Sequence, residues 1–375
     1  MITNVKKQAV ACTKTATLRG KLTDGITMAK RLLVAVALAV AFFGSAYAQQ
    51  QTAVLQRGDS VLGVYYGINS FNQAVAASDH GDIITLSGGA FNSPTGNNPL
   101  SKAITIRGAG AVEDTARGII PTVFLNDFRM DDISPDSANH LIIEGVAFNN
   151  GFFRKDNVHH VTINNPEFIR CTFLGSVVSD CGGYPLCGVV LQSGIFINCI
   201  IDFDLNDNDA PDGMFINCIL FNCINSTSTL SNCIVRTDGE PDGVNAINTI
   251  FVRKSNSNDF TLNASSMTNC VVIGGNITNI HNSTTNTILP ADSLSAVFET
   301  FTNSSNDIDL NTSYALTSRA AANFLGIDGT QVGIYGGGIP FGYVPTYNVI
   351  RRCTVAPRST ADGKLSVDIE LETEQ

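Results

Sequence analysis

Five aspartates crowd the stretch DFDLNDNDAPDG, at Asp202, Asp204, Asp207, Asp209 and Asp212. Carboxylates at this density are hard oxygen donors, so the stretch is the chain's candidate Ca²⁺ site. It is not an EF-type loop: Asp209 stands where the turn glycine belongs and Phe215 where the closing glutamate belongs. A solvated acidic turn is the competing reading. Three cations follow in the sequence, Arg236, Arg253 and Lys254. A cation near carboxylates could neutralise an anionic substrate while a base removes its proton. Charged corners of a fold are more commonly just solvated.

Other reactive side chains point to less. Cys181 and Cys187, in DCGGYPLCG, flank Gly and Pro and suit a disulfide-bridged surface loop. No CxxC pair or Cys/His spacing suggests zinc. GDSVLG (Gly58–Gly63) resembles an esterase nucleophile block only superficially, because the alternating strands and helices that present such a serine are missing. No other cofactor is implied.

What must position these residues is a repeat. Aligned on the Asn of the Asn-Cys-Ile triplet are Asn198, Asn217, Asn232, Asn248, Asn269 and Asn286, preceded by Arg170 and Gly145. Three residues after each stands a large apolar residue, from Phe148 and Phe173 to Val272 and Leu289. Two residues before it the position is mostly apolar, as in Phe168, Phe196 and Phe215. The residue immediately after is small or medium, and five times it is cysteine. Two apolar columns an odd number of residues apart cannot share one face of a continuous strand. A left-handed bend at the reference residue resets the phase, and Asn and Gly enter that region cheaply. Strand, bend, strand, every 15–21 residues from Asn198 onward, describes the coils of a parallel β-helix. Equivalent side chains then stack, Asn on Asn and Phe on Phe, and the cysteines form an interior column of free thiols.

The termini read differently. Lys30 and Arg31, the apolar run Leu32–Phe43 and Ala46-Tyr47-Ala48 make residues 1–48 a secretory signal peptide, with residues 1–27 a possible over-extension before Met28. Cleavage would export a chain beginning at Gln49, bound for the periplasm, the cell surface or the exterior. That segment carries seven Lys/Arg and one Asp, so what remains has a net charge of −16, which repels nucleic acid. No later run is long and apolar enough to span a membrane. Phe71–Ser78 has helical spacing, and in residues 344–375 YNVIRRCTV and KLSVDIELE read as paired strands.

With GDIITLSGGAF, KAITIRGAGA, HLIIEGVAFNN and HVTINNPEFIRCTFLG added as coils, the chain resembles the pectin-lyase-like right-handed parallel β-helix superfamily, in particular secreted bacterial members of unassigned function. The resemblance implies an all-β, single-stranded solenoid over residues 49–343, capped at its N-terminal end by the Phe71–Ser78 helix and followed by a β tail. VGIYGGGIPFGY (Val332–Tyr343) is similar to a last coil of such proteins. Lyases of this fold hold Ca²⁺ with acidic groups on an outer groove, which adds interest to the acidic loop. The superfamily also contains binding proteins and adhesins. The leading expectation is an exported binding or structural module with a glycan as partner. A polysaccharide lyase or hydrolase is the second reading and a β-helical adhesin the third.

Overall fold

The computed structural model describes residues 51–115, 118–133, 139–150, 152–154, 161–174, 186–187, 189–202, 213–221, 228–237, 242–254, 260–278, 282–301, 312–342, 349–355 and 367–372. The signal-peptide segment lies outside them. The chain is a parallel β-helix. One sheet is a ladder of parallel strands running from Ile83–Leu86 through Ile142–Glu144, Gly194–Ile197 and Gly213–Ile216 to Gly275–Thr278. A second, wholly parallel sheet runs from Gly89–Phe91 to Thr287–Leu289. Shorter pairings, including Phe128–Met130 with Phe152–Arg154, form part of the remaining wall. Among the described residues no helix is long and apolar enough to cross a membrane.

The bend between the two long sheets falls where the phase argument demands it. Gly145, Arg170, Asn198, Asn217, Asn232, Asn248 and Asn269 all have φ between 51° and 65°. In the first sheet Phe168, Phe196 and Phe215 are in register and stack at centroid distances of 5.0 and 4.7 Å. Across the bend Phe124, Phe148 and Phe173 stack at 5.6 and 5.1 Å. Each coil from the Gly145 corner to the Asn269 corner therefore buries an apolar side chain on both sides, aromatic on both sides at Arg170, and these stacked rings are no more than 2% exposed.

One register differs from the sequence reading. In the last coil the left-handed residue is Thr285, at φ 63°, and not Asn286. Ile288, not Leu289, is in register with Val272, and at this end of the described coils it is 51% exposed. Asn286 instead takes the cysteine's place, and the hydrogen bonds explain why. Cys199, Cys218 and Cys233 donate from Sγ to the carbonyls of Phe168, Phe196 and Phe215 in the coil before. The amide of Asn286 makes the same reach, donating to Met267 O at 3.1 Å and accepting from Cys270 N at 2.8 Å. Thr249, also in this column, accepts from Cys233 N at 3.2 Å. The column thus bridges backbone groups at the corner, where strand pairing is interrupted. All five of its cysteines are buried free thiols. Burial pushes Cys171 and Cys218 upward and Cys270 up to about 12, which keeps these thiols protonated.

Helix α1 (Ser70–Ala77) closes the N-terminal end, with Phe71 edge-on to Phe124 at 4.8 Å. A hairpin, Thr52–Arg57 with Ser60–Tyr66, extends the first sheet beyond it. Arg57 fixes the hairpin by hydrogen bonds to Asp82 at 2.7 and 2.8 Å and to Asp79 at 2.6 Å. These bonds hold the Asp82 carboxyl below its usual range.

The described coils end at Leu289. The described residues that follow, 290–301 and 312–341, pack on the outside of the second sheet and include two short helices, α2 (Leu294–Val297) and α3 (Ser318–Asn323), which sequence patterning missed. Val332–Tyr343 is the stretch expected as a last coil, and its described part through Phe341 joins neither long sheet. It crosses the asparagine corner as a strap. Gly333 N donates to Asn248 O at 2.8 Å, and Asn217 Nδ2 donates to the carbonyls of Ile334 and Gly336 at 2.7 and 2.8 Å. Asn198 Nδ2 donates to Pro340 O at 3.3 Å. The asparagines hold the strap more than one another, although Asn248 Nδ2 does reach Asn232 Oδ1 at 3.4 Å. The glycines follow from this close approach: a Cβ on Gly333 would sit 2.9 Å from Ile250 Cδ1, and one on Gly336 would run into Gln331 O. Beneath the strap and the segment before it, Ile200, Ile219, Ile234, Ile250 and Val271 form a second apolar core with Phe298, Phe301, Leu316, Ile334 and Phe341. The tail forms the expected antiparallel pair, Val349–Val355 with Val367–Glu372.

Candidate functional site

A polar cleft of about 440 Å³ opens where the second sheet turns toward the remaining wall, at the α1 end. The second-sheet strands Gly89–Phe91, Thr122–Phe124 and Val146–Phe148 are in register, so the residues that follow them, Ser93, Asn126 and Asn150, come together. Asn69 and Asn72 enter from the start of α1, Asn92 from the first of these turns, and Asp127 and Arg129 from the second.

Hydrogen bonds fix much of this lining. Asn92 Nδ2 donates to Asn69 Oδ1 at 2.6 Å, and Asn72 Nδ2 donates to the carbonyls of Asn92 and Ser93 at 3.2 and 3.3 Å. Ser93 Oγ donates to Asn126 O at 2.6 Å, tying one turn to the next. Arg129 Nη2 lies 3.0 Å from Asp127 Oδ2, both side chains being about a quarter exposed or less, so the cleft's cation is matched by its own carboxylate. The result is a recess of nearly balanced charge whose walls present amide N–H and C=O groups. Such walls can pair with hydroxyl groups, each of which both donates and accepts.

The sequence-derived candidates lie elsewhere. Asp202 is in register with Phe221, Arg236, Val252 and Ile273 along the outward row of the second sheet. Asp204, Asp207, Asp209 and Asp212 lie outside the described residues. No group of three His, Cys, Asp or Glu among the described residues is placed to hold a metal ion. Arg236, expected as a groove cation, is 2% exposed, with its guanidinium over the rings of Phe221 at 4.7 Å and Phe301 at 5.5 Å. The covering segment removes it from any groove, and its aromatic contacts explain a charge in that row. Arg253 is half-buried one position further on, opposite Thr237, and Lys254 follows it with its backbone N–H bonded to Thr237 O at 2.9 Å. Cys181 and the side chain of Cys187 fall outside the described atoms, so the loop disulfide does too.

Sequence reasoning missed the cleft. The one available signal was the recurrence of Ser93, Asn126 and Asn150 two residues after Phe91, Phe124 and Phe148. No family model, curated protein or solved structure matches this chain. The functional reading therefore rests on the geometry.

Proposed function

We propose that this chain is an exported β-helix binding module, without catalytic activity, whose cleft beneath α1 takes a short neutral carbohydrate. The carrying observation is the convergence of five asparagines, Asn69, Asn72, Asn92, Asn126 and Asn150, on one recess. The volume is within the range of small-ligand sites, about 300–1,000 Å³. The Asp127–Arg129 pair supports a neutral sugar over a uronate, because the cation that would receive a carboxylate is already engaged. The net charge of −16 expected after export argues the same way, since an anionic polymer would be repelled. Kinship with the pectin-lyase-like superfamily belongs to the same proposal and rests on the coil pattern.

Among the described residues the lining contains no aromatic ring, so these residues offer no stacking platform and weak binding is expected. Titration calorimetry with neutral and uronate oligosaccharides is the test. Neutral sugars should bind, and Asn126→Ala, at an exposed position, should lower affinity roughly tenfold, the loss of about one hydrogen bond, without changing the melting temperature. Release of unsaturated uronate products, abolished by Arg253→Ala, would overturn the reading in favour of a lyase.

A further inference from the structure

The most concentrated apolar exposure among the described residues is at the N-terminal hairpin. Of the thirteen exposed large hydrophobic residues among the described ones, Val61, Leu62, Val64, Tyr66 and Ile68 fall within eight positions. Val64 is 43% and Tyr66 60% exposed. Their strand, Ser60–Tyr66, is the outermost of the first sheet and pairs only with Thr52–Arg57 among the described residues. An open apolar edge is a template for another strand. Proteins that keep such edges single protect them with Lys, Pro or inward charges. Residues 60–71 contain no charge and no proline, in a chain whose net charge is strongly negative.

We propose that a second copy of this chain pairs antiparallel along the outer edge of Ser60–Tyr66, joining two solenoids at their N-terminal ends. Three features favour a like copy over an unrelated partner. First, the edge is self-complementary about a two-fold axis at Tyr65. Val64 of each copy then faces Tyr66 of the other, a β-branched–aromatic cross-strand pair, and Leu62 approaches Ile68. Second, the absence of charge from this stretch lets two acidic chains approach with their like charges held away from the contact. Third, the register irregularity in the hairpin lies beside Leu62, which leaves Gly63–Tyr66 in regular alternation for pairing. Leu62, Val64 and Tyr66 alternate along the strand and share one face of it. The side toward α1 is where the half-buried Tyr65 packs against the core.

Sedimentation velocity on the purified protein tests this. A reversible dimer is expected at micromolar concentrations. Tyr66→Lys should raise its dissociation constant at least tenfold while leaving the melting temperature unchanged, because the replaced side chain is mostly in solvent. Ile327→Lys, at a 69% exposed position in the covering segment, should leave the dimer intact. Should Tyr66→Lys lower stability, Val64→Thr, which keeps the strand's β-branched shape, gives the second reading and should also weaken the dimer. A monomer at every concentration, or a dimer that ignores both edge substitutions, would overturn the proposal.

Discussion

Ile247 and Ile250 stand three residues apart on either side of the Asn248 corner, both pointing away from the interior. Ile247 is 41% exposed and Ile250 is fully buried. A contrast holds along the stack: in the first sheet Ile169, Ile197 and Ile216, in register with Ile247, are half-buried, while Ile200, Ile219, Ile234 and Val271 in the second are at most 2% exposed. The repeat itself places an isoleucine outward on both sides of a corner. What separates the two faces is the described residues of 290–301 and 312–341, which cover the second sheet and leave the first more open. Burial of apolar area at about 25 cal/mol per Å² then makes one isoleucine part of a core and the other a surface residue of small consequence. Position within a solenoid repeat decides which way a side chain points, but a distant segment decides what that direction is worth.

The largest effect should come from cutting equivalent side chains on the two faces. Ile250→Ala should cost about 2–4 kcal/mol in chemical denaturation, and Ile247→Ala less than about 0.5 kcal/mol. Similar losses at both positions would erase the distinction between the faces. The corner gives a smaller contrast. Asn217→Val combines left-handed strain with loss of two bonds to the strap, and should cost about 1–3 kcal/mol. Asn217→Gly keeps the backbone freedom and loses only the bonds, so about 1 kcal/mol is expected. Equal stabilities would mean that the bend is not the constraint. Smallest is the interior column. Cys233→Thr keeps a donor for Ser231 O, as the Thr249 hydroxyl donates to Ile247 O two residues back, whereas the isosteric Cys233→Val does not. Their stabilities should differ by about 1 kcal/mol.

The sequence announced the coils because each one must bury its own large apolar side chains, so the constraint recurs at every turn and becomes visible as a column. The slip at Asn286 arose where column chemistry and corner chemistry favour the same residue type: an amide suits a left-handed bend, and it also suits the bridging role that cysteine has elsewhere. The strap was read as a coil from the resemblance of VGIYGGGIPFGY to a last coil, and nothing in the spacing of Val332, Ile334 and Phe341 says that they pack on a corner far back along the chain. Arg236 looked available for the same reason, since its cover comes from Phe301, sixty-five residues later. The cleft was the least legible. Its asparagines come from separate turns and meet only through the register of strands that had first to be placed.

Cysteine-accessibility labelling tests the two-faced solenoid most directly. With the parent chain as baseline for the native thiols, a cysteine introduced as Ile247→Cys should react with a thiol reagent in the folded protein. One introduced as Ile250→Cys, three residues along the same coil, should react only after unfolding. Native-state labelling of Ile250→Cys as fast as that of Ile247→Cys would contradict the account, because it would mean that residues 290–301 and 312–341 do not cover the second sheet.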